Sequence, residues 1–184
     1  MTGAAARVGK PKRVAKPKRP AQPKRPAQPK RPAQPKIVRA SPAVARHQAD
    51  WIAGIEPWRG LGYRAAPLGR YLARVARTGE VWVARAAGRD PLGVAVLTDG
   101  FLLGGFIALL AVQPQASGQG IGQRLVAHIE ARVFARRRWL FVSCDAGNRA
   151  ALRFYRRQGF ARVGRLPDLV QEGRTELLLR KPRR

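Results

Sequence analysis

Apolar positions along the chain repeat with two different periods. Val44, Trp51, Ile52 and Ile55 recur at roughly helical spacing and predict a helix over 43–55, which Pro57 stops. Leu68, Leu72 and Val75 mark a second short helix over 68–77, with Gly79 just past its end. The pattern then becomes that of strands over 80–87, 92–98 and 101–112. These runs are separated by Gly-Arg-Asp-Pro and by Asp99-Gly100, the second being a strong hairpin signal, and they predict an antiparallel meander. Leu125, Ile129 and Val133 restore helical spacing over 118–136, followed by an apolar strand over 139–143 and a third helical stretch over 148–158. Strands over 160–163 and 175–180 close the chain, and Ile37 to Arg39 can form a short first strand. The order β-α-α-β-β-β-α-β-α-β-β predicts an α/β (α+β) domain, a mixed sheet flanked by helices.

Composition changes this picture at the N-terminus. From Pro17 the unit Pro-Lys-Arg-Pro-Ala-Gln runs three times in register to Gln34, and Pro35-Lys36 starts a fourth copy. Two prolines in six residues remove donors and block helix, and the unit has nothing to bury, so residues 1–36 are expected to be a disordered, partly polyproline II tail. At about 3.1 Å per residue each repeat places two cations roughly every 19 Å. Such an arm either follows nucleic acid phosphates through counterion release or serves as a solubilising tether. The foldable domain is then 37–184.

Of the 37 lysines and arginines, thirteen lie in residues 1–40 with no acid beside them, leaving 24 against all ten acids in the remainder of a chain of net charge +27. A basic domain suits polyanionic partners without identifying one. Cys144 is the only cysteine and His47 and His128 the only histidines, so neither a disulfide framework nor a metal site is expected. No apolar run reaches the roughly 18 residues of a membrane span, and no signal-like segment opens the chain, so a cytoplasmic location is expected.

Two stretches carry chemistry. Gln115-Ala-Ser-Gly-Gln-Gly-Ile-Gly122 lies where a strand gives way to a helix. Glycines there let backbone N–H groups converge on an anion at the positive end of the helix. Here the chain resembles the GNAT superfamily of acyl-CoA-dependent N-acetyltransferases, whose signature Gln/Arg-x-x-Gly-x-Gly/Ala is met by Gln115, Gly118 and Gly120 and continued by Ile121 and Gly122. Asn148 to Phe160 resembles the family's Asn-x-x-Ala-x-x-Phe-Tyr-x-x-x-Gly-Phe, a more specific spacing than the glycines alone. The resemblance covers about 37–184. Glu56 to Gly62, Leu166-Pro-Asp168 and Glu176 to Lys181 look like one bacterial subgroup of unassigned substrate.

The resemblance implies a GNAT-like, mostly antiparallel sheet, acetyl-CoA as cofactor and transfer of an acetyl or short acyl group to a small-molecule or protein amine. It implies a pyrophosphate site at Gln115, Ser117, Gly118, Gln119, Gly120, Ile121 and Gly122, with Asn148 on the cofactor-side helix. It also implies a bulge in the fourth strand, whose backbone N–H groups at Leu110, Ala111 and Val112 meet the thioester carbonyl. Tyr155 is then the acid for the leaving thiolate. Ser117 departs from the Arg or Lys often found before the first glycine, which implies weaker cofactor affinity, with Arg124 as a substitute cation. The fourth strand, 101–112, contains no acid, so Glu56 is the first candidate base and Glu80 the second; Asp99 reads as a turn residue, Cys144 as structural, and His128 as a residue of the polar side of its helix. The competing reading is a nucleic-acid-associated protein anchored by its tail, with the folded part a modifying or degenerate module. Self-acetylation of the tail lysines and a homodimer are left open.

Overall fold

Seven strands form one sheet: β1 Lys36–Arg39, β2 Val81–Arg85, β3 Gly93–Phe101, β4 Gly104–Val112, β5 Trp139–Asp145, β6 Ala161–Pro167 and β7 Thr175–Pro182. Four helices accompany them: α1 Pro42–Ala53, α2 Ala65–Ala76, α3 Ile121–Phe134 and α4 Arg149–Arg157. The computed structural model describes Gly3 and residues 34–86 and 88–183. The strands and helices lie within the unit Ala33–Arg184. Apart from Gly3, the tail expected over 1–36 falls outside the described residues as far as residue 33, and Lys36 already belongs to β1.

The sheet order is β1-β2-β3-β4-β5-β7-β6. Every neighbouring pair is antiparallel except β4 and β5. Both faces of the central strands are buried, so successive residues go to opposite cores. Val81, Val83, Val94 and Val96 pack with α1 and α2, while Trp82, Ala84, Ala95 and Leu97 pack with α3 and α4.

β4 breaks this alternation at one place. Val96 pairs with Leu109 but Leu97 pairs with Ile107, so Ala108 is an extra residue in β4. A bulge of this kind shifts the pleat by one position. Ile107 accordingly packs on the α3 side and Leu109 on the α1–α2 side, although they are two residues apart. β4 pairs with β5 only from Gly104–Trp139 to Ile107–Val142. Beyond the bulge the two strands separate.

The β3–β4 turn is not at Asp99-Gly100. β3 continues to Phe101, and the chain reverses through Leu102 and Leu103, whose φ values are 42° and 63°. Asp99-Gly100 forms a second irregularity in the ladder, where the Asp99 carboxylate accepts from Gly100 N at 2.8 Å and from Arg137 at 3.0 Å. Leucine is unsuited to a left-handed backbone, and these two are 60% and 81% exposed, so packing offsets little of the cost. Replacing them with Asn-Gly, the residues this turn favours, is expected to stabilise the domain by about 1 kcal/mol or more. Thermal unfolding checks this, and an unchanged or lower Tm would show that the leucines have a packing role.

Candidate active site

Between β4 and α3 the chain makes one turn of 3-10 helix, Pro114–Ala116, and then passes Gly118 and Gly120 at φ 75° and 76°. Only glycine takes these values without cost. α3 therefore begins at Ile121, three residues later than its periodicity suggests, with the left-handed Gly120 as its N-cap. No side chain caps this helix, and its first turn carries no acid, so N–H groups at its positive end remain available to a ligand. A methyl group at Gly118 or Gly120 would meet no protein atom within 4 Å. Both face a cavity of about 440 Å³ that is also lined by Ser117, Ile121, Gly122 and Arg157. This concave, glycine-floored pocket of donors fits a diphosphate group.

Side chains near the turn hold its shape. Gln119 Nε2 donates to Gln115 O at 2.9 Å, and Gln115 donates through its side chain to Gln113. Arg124 does not line the cavity; it donates to Gln34 Oε1 at 2.6 Å. The cation on the cavity wall is Arg157, at the end of α4. Its place in the Phe-Tyr-Arg-Arg run of the second motif was the signal available in sequence.

The separation of β4 from β5 leaves backbone groups of β4 without a sheet partner. Gln113 N donates to Leu92 O at 2.9 Å, and donors alternate sides along a strand. The register Val94–Ala111 and Val96–Leu109 then turns Leu110 and Val112 N–H toward the open edge. Ala111, expected with them, has its N–H directed to β3 and its side chain buried beside α1 and α2.

A cleft of about 160 Å³ occupies the gap. Tyr155 reaches it from α4, Cys144 and Asp145 from β5, and Glu176 from β7. Asn148 caps α4 by accepting from Ala151 N at 3.0 Å and also lines the cleft. This cap aims the helix so that Tyr155 lies between Phe154 and Phe160, at ring separations of 5.2 and 5.6 Å. Burial pushes the Tyr155 hydroxyl above the ordinary phenol range, with Cys144 adding to the shift. The proton is therefore held firmly. Burial also pushes the Cys144 thiol up to about 12, which leaves it protonated and inert.

The two carboxylates at the cleft differ. Asp145 is committed: Arg174 donates to it at 2.9 Å and Gly147 N at 2.8 Å, and the guanidinium holds its pKa below the carboxylate range. Glu176 pairs with Asp145 across β5 and β7 and is 7% exposed. Burial raises its pKa, the Asp145 charge adds to this, and Ser143 and Arg174 oppose it. A partly desolvated carboxylate beside the gap, more basic than an exposed one, suits proton acceptance.

Glu56 is elsewhere. Its carboxylate is exposed, paired with Arg59 at 2.9 Å and accepting from Gly60 N at 3.1 Å, while the following Pro57 and Trp58 line the cleft. Glu56 does lie between the first two helices, as its sequence position indicates, but its side chain faces solvent. Glu80 belongs to a separate cavity on the α3 side, with Arg132 and Arg136. His128 is not on a polar face: its ring packs against Trp82 with centroids 4.3 Å apart. Among the described residues no cluster of His, Cys, Asp and Glu could hold a metal ion, and no helix is long and apolar enough to cross a membrane.

Residues 45–160 match the model of the acetyltransferase (GNAT) family. No curated protein sequence matches the chain. Among solved structures, a GNAT-family acetyltransferase from Bacillus cereus ATCC 10987 has a TM-score of 0.66 at 16% identity, over 81% of this chain and 97% of its own. Ribosomal-protein-alanine N-acetyltransferase from Brucella melitensis has 0.62 at 24%, over 80% and 99%. A protein designated a streptothricin acetyltransferase from Bacillus anthracis str. Ames, in complex with acetyl coenzyme A, has 0.51 at 18%, over 55% and 61%. At these identities the likeness is one of fold.

Proposed function

The chain belongs to the GNAT family of acetyltransferases, and from that premise we propose that it passes the acetyl group of acetyl-CoA to a primary amine that loses its proton to Glu176. The observation that carries this reading is the position of a buried carboxylate, in no ion pair among the described residues, in the same cleft as a buried tyrosine, beside the open edge of β4.

Acetyl-CoA supplies an activated acetyl thioester, whose C–S bond breaks as the N–C bond forms. The glycine turn and the start of α3 bind the diphosphate through backbone N–H groups, with Arg157 as the nearby cation in place of a basic residue at Ser117. Leu110 and Val112 N–H donate along the open edge, Leu110 polarising the carbonyl oxygen. An alkylamine is almost wholly protonated at neutral pH, its pKa being about 10.4. Glu176 takes the first proton from that ammonium nitrogen and passes it to solvent. As the N–C bond forms and the C–S bond breaks, Tyr155 O–H gives its proton to the departing sulfur and is restored by the second proton leaving the nitrogen. One amide, one thiol and one proton released to solvent result.

Replacing Tyr155 with phenylalanine preserves the T-shaped ring packing and removes the proton. Turnover is expected to fall about ten- to a thousandfold while acetyl-CoA affinity changes little. Thiol release from acetyl-CoA over a panel of amines measures both the activity and this loss. Full activity in the variant would remove Tyr155 from proton transfer, and no amine-dependent thiol release by the parent protein would defeat the proposed reaction. The nucleic-acid reading rests on the tail, which lies outside the described residues as far as residue 33.

A further inference from the structure

The cleft continues sideways into a groove of about 440 Å³ between β4 and α2. Trp58, Tyr63 and Leu109 line both spaces, so the groove starts where the amine must be presented. Its far side is closed by Tyr71 and the apolar start of α2. Tyr71 is half-buried, and Arg74 covers its ring at 5.7 Å.

The charges around this groove are all of one sign. No acid lines it, and its single charged wall residue is Arg64, which is exposed. Of the carboxylates in the adjoining loop and cleft, Glu56 is held by Arg59 and the Gly60 amide and Asp145 by Arg174 and the Gly147 amide. Glu176, inside the cleft and in no ion pair among the described residues, is the one placed to receive an ammonium group. A second ammonium on the same molecule would lie in the groove against Arg64 and Arg74 with no counter-charge, whereas a flat apolar body would find aromatic walls. An anion at the outer end would meet Arg64.

Resting on the reading that this cleft transfers acetyl groups, we propose that the acceptor is a monoamine on an aryl or similarly flat apolar body, with a single anionic group at the end remote from the nitrogen. Trp58, Tyr63 and Tyr71 hold the body, and Arg64 selects the anion. Polyamines, polyamino sugars and lysine- and arginine-rich peptides, including the chain's own repeats, are disfavoured as acceptors.

The test compares para-(aminoethyl)benzoate, phenylethylamine and spermidine as acceptors for the full-length protein by thiol release from acetyl-CoA. The kcat/KM values are expected in that order, the benzoate exceeding phenylethylamine roughly three- to tenfold, as one partly exposed charge-assisted contact allows. In Arg64→Ala the ratio between these two should collapse to about one, through a rise in KM for the benzoate. Spermidine as the best acceptor, or an equal loss for all three amines in the variant, would overturn the assignment. Calorimetric titration of the same amines into the CoA-loaded protein separates this from the reaction itself. The same order of affinities without turnover with any amine leaves the groove assigned and rejects the transfer; no preference in either measurement rejects the groove.

Discussion

Glu176→Gln is expected to lower kcat with the best amine about a hundred- to ten-thousandfold, the range for loss of a positioned proton acceptor. The amide keeps the size and hydrogen-bonding ability of the carboxylate but cannot take a proton. Its effect on stability should be opposite in sign. Burial raises the Glu176 pKa, so the folded state prefers the neutral acid; the stability this group contributes is present below its unfolded pKa and is lost as pH rises through the higher folded value. Above that folded pKa the wild-type protein holds a charge that burial penalises, and there the neutral glutamine should equal or exceed it in Tm. A variant that is inactive and at least as stable fits a base held at some cost to folding. A large loss of stability with the activity would instead mark Glu176 as a structural residue, and a fully active glutamine variant would place proton acceptance elsewhere.

The second large effect lies at the glycine turn. Gly118→Ala together with Gly120→Ala adds two methyl groups that touch nothing in the protein, so the direct penalty comes from backbone conformation. At φ 75° and 76° that is about 1–2 kcal/mol for each residue. The chain can relieve the strain by rotating to negative φ, which turns the converging N–H groups away from the diphosphate. Acetyl-CoA affinity is expected to fall roughly a hundredfold or more by calorimetry, since each 1.4 kcal/mol is a factor of ten. Circular dichroism should still report a folded domain. Unchanged affinity would mean that the phosphates are held by side chains such as Arg157 rather than by this backbone.

The order of elements was legible because it depends on local periodicity, and each helix and strand forms close to the stretch whose spacing announced it. Local signals failed where tertiary contacts compete for the same residue. Asp99-Gly100 has the composition of a hairpin turn, yet Arg137, in the loop that follows α3, binds the Asp99 carboxylate, and the reversal moves to two leucines with no turn preference. The helical periodicity of α3 reaches back to Gly118, but two left-handed glycines delay its start.

The same division runs through the site. The glycine turn and the Asn148 cap are local structures, and sequence locates both. The proposed base is not set by local structure. Glu176 precedes a run of leucines and looks like the start of an ordinary strand; it enters the cleft only because β7 inserts between β5 and β6, placing residue 176 opposite residue 145. A lone acid at the head of an apolar strand was the available signal. Glu56 lies between two helices, but that position does not specify where its side chain points, and Arg59 and Gly60 hold its carboxylate at the surface. Likewise, Arg124 follows the glycines in sequence, whereas Arg157 reaches the cavity from another helix.

The most direct test of the account is the pH dependence of kcat/KM in the wild-type enzyme and in Glu176→Gln, with one amine at fixed saturating acetyl-CoA. The wild type is expected to lose activity on the acid side through a group titrating above the ordinary carboxylate range, and this step should be absent from the residual activity of the variant. An acid limb of the same position and steepness in both proteins would contradict the central claim that Glu176 accepts the proton of the amine.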